Sequence, residues 1–227
     1  RPVLNLMGEA IQLYDTSLQM ENNGEMVGPA SFLPIAQEHE LLAPINRWVV
    51  ANAIRALGER RRAGHRTHLM VRITPESFSD PELLTVIRDG LQAEGVEGGQ
   101  LWLQIPEAKV FTHLRQAQAF LAGATALGCK VGLEKFGSGL DSFQLLTHFQ
   151  PAFLKLDRSF TEDLPRTPEH QQKIRDIAVR AQSLGVPSIA EFVQDAATMS
   201  FLFTSGVDYV QGHFMATPAA TMNYDFS

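Results

Sequence analysis

The stretch 101–135, LWLQIPEAKVFTHLRQAQAFLAGATALGCKVGLEK, decides the fold. Leu101–Ile105 is an apolar run of strand length. Thr112–Leu127 follows with helical periodicity and is closed by Gly128, because glycine enters the left-handed conformation that ends helices without a Cβ penalty. Lys130–Leu133 is a second apolar run, ended by the charges of Glu134-Lys135. Two strands joined by a helix of this length lie parallel in one sheet. The same alternation extends in both directions. Val3–Leu6, Leu69–Ile73, Phe153–Leu156, Ser188–Ala190 and Tyr209–Val210 read as strands. Helical patterns at Ile45–Arg62, Pro81–Ala93, Ser142–Phe149, Pro168–Leu184 and Asp195–Thr204 separate them. Asp80-Pro81 opens one helix as cap and first-turn proline, and Gly185 closes another. Seven or eight such strands in 227 residues suit a small closed α/β barrel forming one domain over 1–227. A doubly wound open sheet is the alternative. Glu21–Gly28 is the most polar segment and reads as a surface turn.

Composition excludes several classes. Apolar residues make up 44% and charged residues 19%, so the chain buries a core and is not disordered. A single cysteine, Cys129, excludes an internal disulfide and points to a reducing, cytoplasmic setting, with the thiol acting as a small buried hydrophobe. Lys and Arg number 19 against 25 Asp and Glu, a net −6, which argues against a DNA-coating role. No apolar run is long enough for membrane insertion. The start, Arg1-Pro2-Val3-Leu4, has no initiator methionine or signal pattern, as expected of a piece excised from a longer protein. His65 and His68 lack a third ligand. Arg60-Arg61-Arg62 read as helix-end cations favoured by the dipole.

Polar groups collect where the strands end. Arg72 closes the Leu69–Ile73 run. Gln104 and Glu107 flank the end of the next, and Glu134-Lys135 the one after. Lys155 and Asp157, Glu191 and Gln211 follow on later strands. Parallel strands are apolar nearly throughout when buried, so charge confined to their carboxyl ends marks the face of a barrel that carries its site. Solvent simply beginning at the strand ends is the alternative for any one position.

Six ordered phrases then resemble the EAL domain family of cyclic di-GMP phosphodiesterases. Arg1-Pro2-Val3-Leu4-Asn5-Leu6 resembles its opening QPIVDL strand, and Pro29–Ala36 (PASFLPIA) its PxxFIPxAE phrase. Phe136–Ser142 (FGSGLDS) is similar to the FGTGYSS loop, and Lys155–Phe160 (KLDRSF) to KIDRSF. Ala190–Gln194 (AEFVQ) resembles AEGVE, and Gln211-Gly212-His213 the final QGY. The resemblance runs to about Pro218 and implies a modified TIM-like (β/α)8 barrel. Glu9-Ala10-Ile11 imitates the name-giving tripeptide, but its distances from Pro2 and Phe32 are wrong. Both counts place the motif at Asp15-Thr16-Ser17.

By this resemblance Asp15 stands at the motif glutamate, Arg72 at the asparagine of the NLS phrase and Gln104 at the glutamate of LEIT. Glu134-Lys135 replace an aspartate pair, and Gln194 the last glutamate of AEGVE. Lys155, Glu191, Gln211 and the loop-bracing Glu107 are kept. An active member binds divalent metals through these oxygens. Magnesium needs hard anionic ligands, and a cation 4 Å from another costs about 4 kcal/mol at an effective dielectric near 20. Arg72, Lys135 and Gln104 therefore argue against Mg2+ or Mn2+, and without metal a water nucleophile is poor at neutral pH.

The resemblance is strongest to degenerate, FimX-type members that regulate type IV pili and twitching motility. It implies no catalytic residue and no metal cofactor. It implies cyclic di-GMP as ligand, a PilZ-domain protein as partner, and upstream domains including a degenerate GGDEF domain. The expected cyclic di-GMP residues are Arg1, Asp15, Ser17, Leu18, Gly28, Pro29, Arg72, Lys155, Glu191, Phe192, Gln211 and Gly212. One base is expected near Leu18 and Gly28-Pro29, the other near Glu191-Phe192. Arg72 is expected at a phosphate, or else in a salt bridge to Glu191 or Asp15. Phe192 replaces a family glycine and is expected to stack on a purine, or else to pack in the core. A weak metal-dependent phosphodiesterase using Asp15 and Glu134, and a nucleotide-independent interaction module, are the alternatives.

Overall fold

The structure, a computed structural model, describes residues 1–8 and 10–226. Glu9, the residue of the misleading tripeptide, lies outside the described residues. Strands β1 (Pro2–Asn5), β2 (Gln12–Asp15), β5 (Thr67–Arg72), β6 (Leu101–Pro106), β7 (Lys130–Phe136), β8 (Leu154–Leu156), β9 (Ser188–Ala190) and β10 (Tyr209–Val210) close into an eight-stranded barrel. The remaining two, β3 (Met20–Asn22) and β4 (Glu25–Val27), form an exposed hairpin, which refines the expected surface turn. The barrel is closed, so the open-sheet alternative fails.

The sheet is not wholly parallel. β1 pairs antiparallel with both β2 and β10, while every other neighbouring pair in the barrel is parallel. The cause is connection length. The six residues between β1 and β2 cannot hold a crossover helix, so the chain turns straight back. β2 itself is missing from the expected strands because four residues with no apolar alternation leave little to read. β7 runs three residues beyond the expected end, to Phe136, with a register shift between Leu133 and Phe136.

Eight helices surround the strands among the described residues: α1 (Pro29–Glu38), α2 (Leu42–Arg62), α3 (Pro81–Glu94), α4 (Glu107–Thr112), α5 (Leu114–Ala126), α6 (Ser142–Leu145), α7 (Pro168–Ser183) and α8 (Ala196–Ser205). The expected helix Thr112–Leu127 is split at His113, where α4 ends. Asp80 caps α3 by accepting from the Glu82 N–H at 3.1 Å, and Gly95 at φ +61 closes it. The arginines at the end of α2 are structural. Arg61 donates to the Glu94 carbonyl and Arg62 pairs with the Glu94 carboxylate, tying α2 to α3.

Residues two apart on a strand share a face, and this places two layers inside the barrel. Val3, Leu13, Met70, Trp102, Phe153 and Ile189 form a separate apolar cluster, each at most 1% exposed. Trp102 and Phe153 stack at 5.1 Å between centroids, and Lys130 Nζ lies 4.3 Å above the indole. Gly132 makes room for this stack, because a Cβ there would collide with the Phe153 ring. Two residues further on, the same positions become Asp15, Arg72, Gln104, Lys155 and Glu191, with Glu134 following Gly132. The apolar plug is therefore the floor of a polar layer at the carboxyl ends.

Candidate functional site

Lys155 organises the polar layer. Its ammonium is fully buried and lies 2.6 Å from Asp15 Oδ2 and 3.2 Å from Glu191 Oε2. Gln211 Nε2 donates to Asp15 Oδ2 at 3.0 Å, and Gln104 Nε2 donates to Oδ1 at 2.6 Å. Both Asp15 oxygens are thus taken by protein donors. Burial alone would raise the Asp15 carboxyl. The Lys155 charge, the bonds from Lys155 and Gln211, and the Arg72 charge outweigh it and hold the group below its usual value. Burial likewise opposes the Lys155 charge, but Asp15 and Glu191 keep its pKa raised.

Arg72 pairs with Glu134, and not with Asp15 or Glu191, the partners named in the alternative to a phosphate contact. Its Nε and Nη2 lie 2.7 and 2.6 Å from Glu134 Oε2. The carboxylate is buried at 2% exposure, whereas the Arg72 side chain is half exposed. Lys135 is different again. Its backbone is left-handed at φ +54, and its side chain is exposed at the rim without a hydrogen bond or ion pair among the described residues. Of the two cations expected at the metal position, only Arg72 is paired with a pocket carboxylate. Glu107 braces the following loop as expected, accepting the Gly137 N–H at 2.9 Å.

The donor set does not suit a divalent metal. Asp15 already accepts three protein hydrogen bonds and Glu134 is neutralised by Arg72. Oxygens of Gln104, Glu134 and Gln211 have no protein donor, but two of these are neutral amides and the third belongs to the Arg72-paired carboxylate. Among the described residues, no group of three His, Cys, Asp or Glu side chains is placed to hold a metal ion. Cys129 offers nothing either, since burial pushes its thiol up to about 12.

Two cavities adjoin above the polar layer. One of about 440 Å³ is lined by Leu18, Pro29, Leu33, Ile45, Arg72 and Lys109 among others. The other, about 620 Å³, takes Arg1, Asp15, Ser17, Glu191, Gln211 and Trp48. Ser17, Leu18 and Arg72 border both. The expected site residues thus gather at one mouth, with four exceptions. Gly28 is the cap of α1 and lies beside the smaller cavity, which its neighbour Pro29 lines. Lys155 lies beneath Asp15. Gly212 packs against the Val193 backbone, where no Cβ fits. Phe192 is half-buried, outside both apolar clusters, with the Arg158 guanidinium 5.0 Å from its ring. Its φ of +66 explains the glycine of the resembling phrase, and holding a phenylalanine there costs about 1–2 kcal/mol. Sequence reasoning missed Tyr14, Trp48 and the segment Pro218–Met222 as cavity walls.

Residues 1–218 match the EAL domain family model. The chain belongs to the EAL domain family. Its fold superimposes on the Xanthomonas citri FimX EAL domain in complex with c-diGMP with a TM-score of 0.96 and 59% identity, over 100% of this chain and 88% of that one. The Pseudomonas aeruginosa FimX EAL domain bound to c-di-GMP gives 0.94 and 34%, covering 100% and 91%. This is therefore a FimX-like EAL domain. Among curated proteins, the Escherichia coli cyclic di-GMP phosphodiesterase PdeF is 26% identical over 96% of this chain, which spans only 29% of PdeF. No helix among the described residues is long and apolar enough to cross a membrane.

Proposed function

We propose that this EAL domain is a receptor for cyclic di-GMP that binds the nucleotide without hydrolysing it and relays its presence to a PilZ-domain protein of the type IV pilus and twitching-motility machinery. The observation that carries this reading is the state of Asp15. Its two oxygens hold Lys155, Gln104 and Gln211, so the carboxylate shapes the pocket and is not free to ligate magnesium. Both FimX neighbours hold this nucleotide on the same fold. The cavities that meet at Arg72 are of a size for two purine nucleotides. Arg72 supplies a half-exposed guanidinium whose planar fork suits a phosphate. A receptor that makes no product signals only through a partner that distinguishes its occupied form.

Incubation of the domain with cyclic di-GMP and excess Mg2+ or Mn2+ tests the inactivity. No linear dinucleotide should accumulate, and steady metal-dependent turnover would establish the phosphodiesterase reading. Titration of a PilZ-domain protein into free and nucleotide-loaded domain tests the relay. Tighter binding to the loaded form is expected, and equal affinity would overturn the coupling while leaving nucleotide binding intact.

A further inference from the structure

We infer that residues 219–226 form an extended strap that walls the larger cavity, and that nucleotide binding and strap docking strengthen each other. The inference rests on the reading of this cavity as part of the cyclic di-GMP site. The strap lies beyond the residues matched by the EAL family model. Its sequence alternates: Met222, Tyr224 and Phe226 are half-buried against the core, while Thr221, Asn223 and Asp225 are exposed. That period of two is the signature of extended chain with one face docked.

The surface it covers is the place where the barrel departs from regularity. β1 turns directly into antiparallel β2, so no crossover helix follows β1. Tyr14 on β2 is buried at 4% exposure, and the strap seals this region. The Tyr224 N–H donates to Tyr14 Oη at 3.2 Å. Phe226 meets the Tyr14 ring edge-on at 5.2 Å, and Tyr224 meets Phe226 at 5.0 Å. Ala219, Ala220, Thr221 and Met222 line the 620 Å³ cavity opposite Asp15 and Gln211. The latch residue Tyr14 is the chain neighbour of Asp15, so what holds the strap also holds the strand that presents the pocket carboxylate.

The segment belongs to no helix or strand and docks through half-buried Met222, Tyr224 and Phe226 together with the Tyr224–Tyr14 hydrogen bond, an arrangement of the kind that opens locally before the fold does. A ligand in the cavity touches the strap only when it is docked, and such differential contact couples the two events reciprocally. A strap with a merely structural role would lower the melting temperature of free and loaded domain alike and leave affinity unchanged.

The test uses the whole chain with Met222→Ser and Phe226→Ser combined, and Tyr14→Phe separately. Cyclic di-GMP affinity and dissociation rate are measured by calorimetry and stopped flow. The double variant should bind about tenfold more weakly, mainly through faster dissociation, an ordinary size for coupling between sites. Tyr14→Phe keeps the ring and removes the acceptor, and should cost about threefold. In the unmodified domain, saturating nucleotide should slow hydrogen exchange at the Tyr224 amide, which donates to Tyr14 Oη. Unchanged affinity in a folded double variant, or nucleotide-independent exchange at that amide, would overturn the coupling. If the double variant does not fold, Tyr14→Phe and the exchange measurement decide. Failure of the unmodified chain to bind cyclic di-GMP would remove the nucleotide reading and the coupling together.

Discussion

Two layers of the barrel, one side chain apart on the same strands, do different work. The lower layer is Val3, Leu13, Met70, Trp102, Phe153 and Ile189, apolar and closed. The upper layer is Asp15, Arg72, Gln104, Glu134, Lys155 and Glu191, a set of buried or half-buried charges and amides tied to one another. Burying Trp102 and Phe153 stabilises the fold directly. Burying Lys155 stabilises it less, because desolvation offsets part of what its ion pairs with Asp15 and Glu191 return. The lower layer is what a barrel needs in order to close. The upper one is what the proposed function asks a barrel to tolerate in order to bind an anion.

This contrast breaks most sharply at Lys155. Lys155→Met strands Asp15 and Glu191 in the interior and should cost about 3–5 kcal/mol, read by urea denaturation. Adding Asp15→Asn should return much of that loss, whereas no second substitution of that kind rescues Trp102→Ala, which should also cost about 3–5 kcal/mol. If Lys155→Met alone proved neutral, the upper layer would not be the tightly paired cluster described here.

Binding should separate the layers in the opposite sense. Arg72→Ala should weaken cyclic di-GMP by about 1.5–3 kcal/mol in a titration of folded protein, the scale of a charge-assisted hydrogen bond. Unchanged affinity would mean that Arg72 serves only Glu134. Phe192→Gly should relieve a left-handed backbone and, on the proposed function, remove a ring whose stacking on a base would be worth about 1–3 kcal/mol. Stability should stay near that of the parent, with weaker nucleotide binding. The reverse result, lost stability with normal binding, would make Phe192 a packing residue.

The smallest effect is in pH. Asp15 has a depressed pKa, so its contribution is complete above the ordinary 3.8 and is lost as pH falls through the folded value. Lys155 has a raised one, so its contribution is complete below 10.5 and is lost as pH rises through the folded value. Between those limits the pair's contribution is constant, and denaturation midpoints across neutral pH should show no step from it. A step there would contradict the assigned charge states.

The strand ends carried much of this in the sequence. The phrases placed Lys155, Glu191 and Gln211, and the distance counts Asp15, at one end of the barrel, because each sits at or just beyond the carboxyl end of a strand and these strands run the same way. The Arg72–Glu134 pair was not legible, since it joins residues 62 apart on strands that are not neighbours, and either of two other carboxylates was an equal candidate. The exposure of Lys135 was not legible either, because it sits on a local left-handed backbone at an irregularity of β7. The strap went unread, because Met222, Tyr224 and Phe226 alternating with polar residues over so short a stretch do not say which surface the segment covers.

On the proposed function, cyclic di-GMP meets a pocket whose charge comes from protein side chains and not from metal. The direct measurement is a calorimetric titration of cyclic di-GMP into the domain in excess EDTA, repeated with Mg2+. The account predicts the same affinity in both, with no linear product in either. A large loss of affinity on chelation would contradict it.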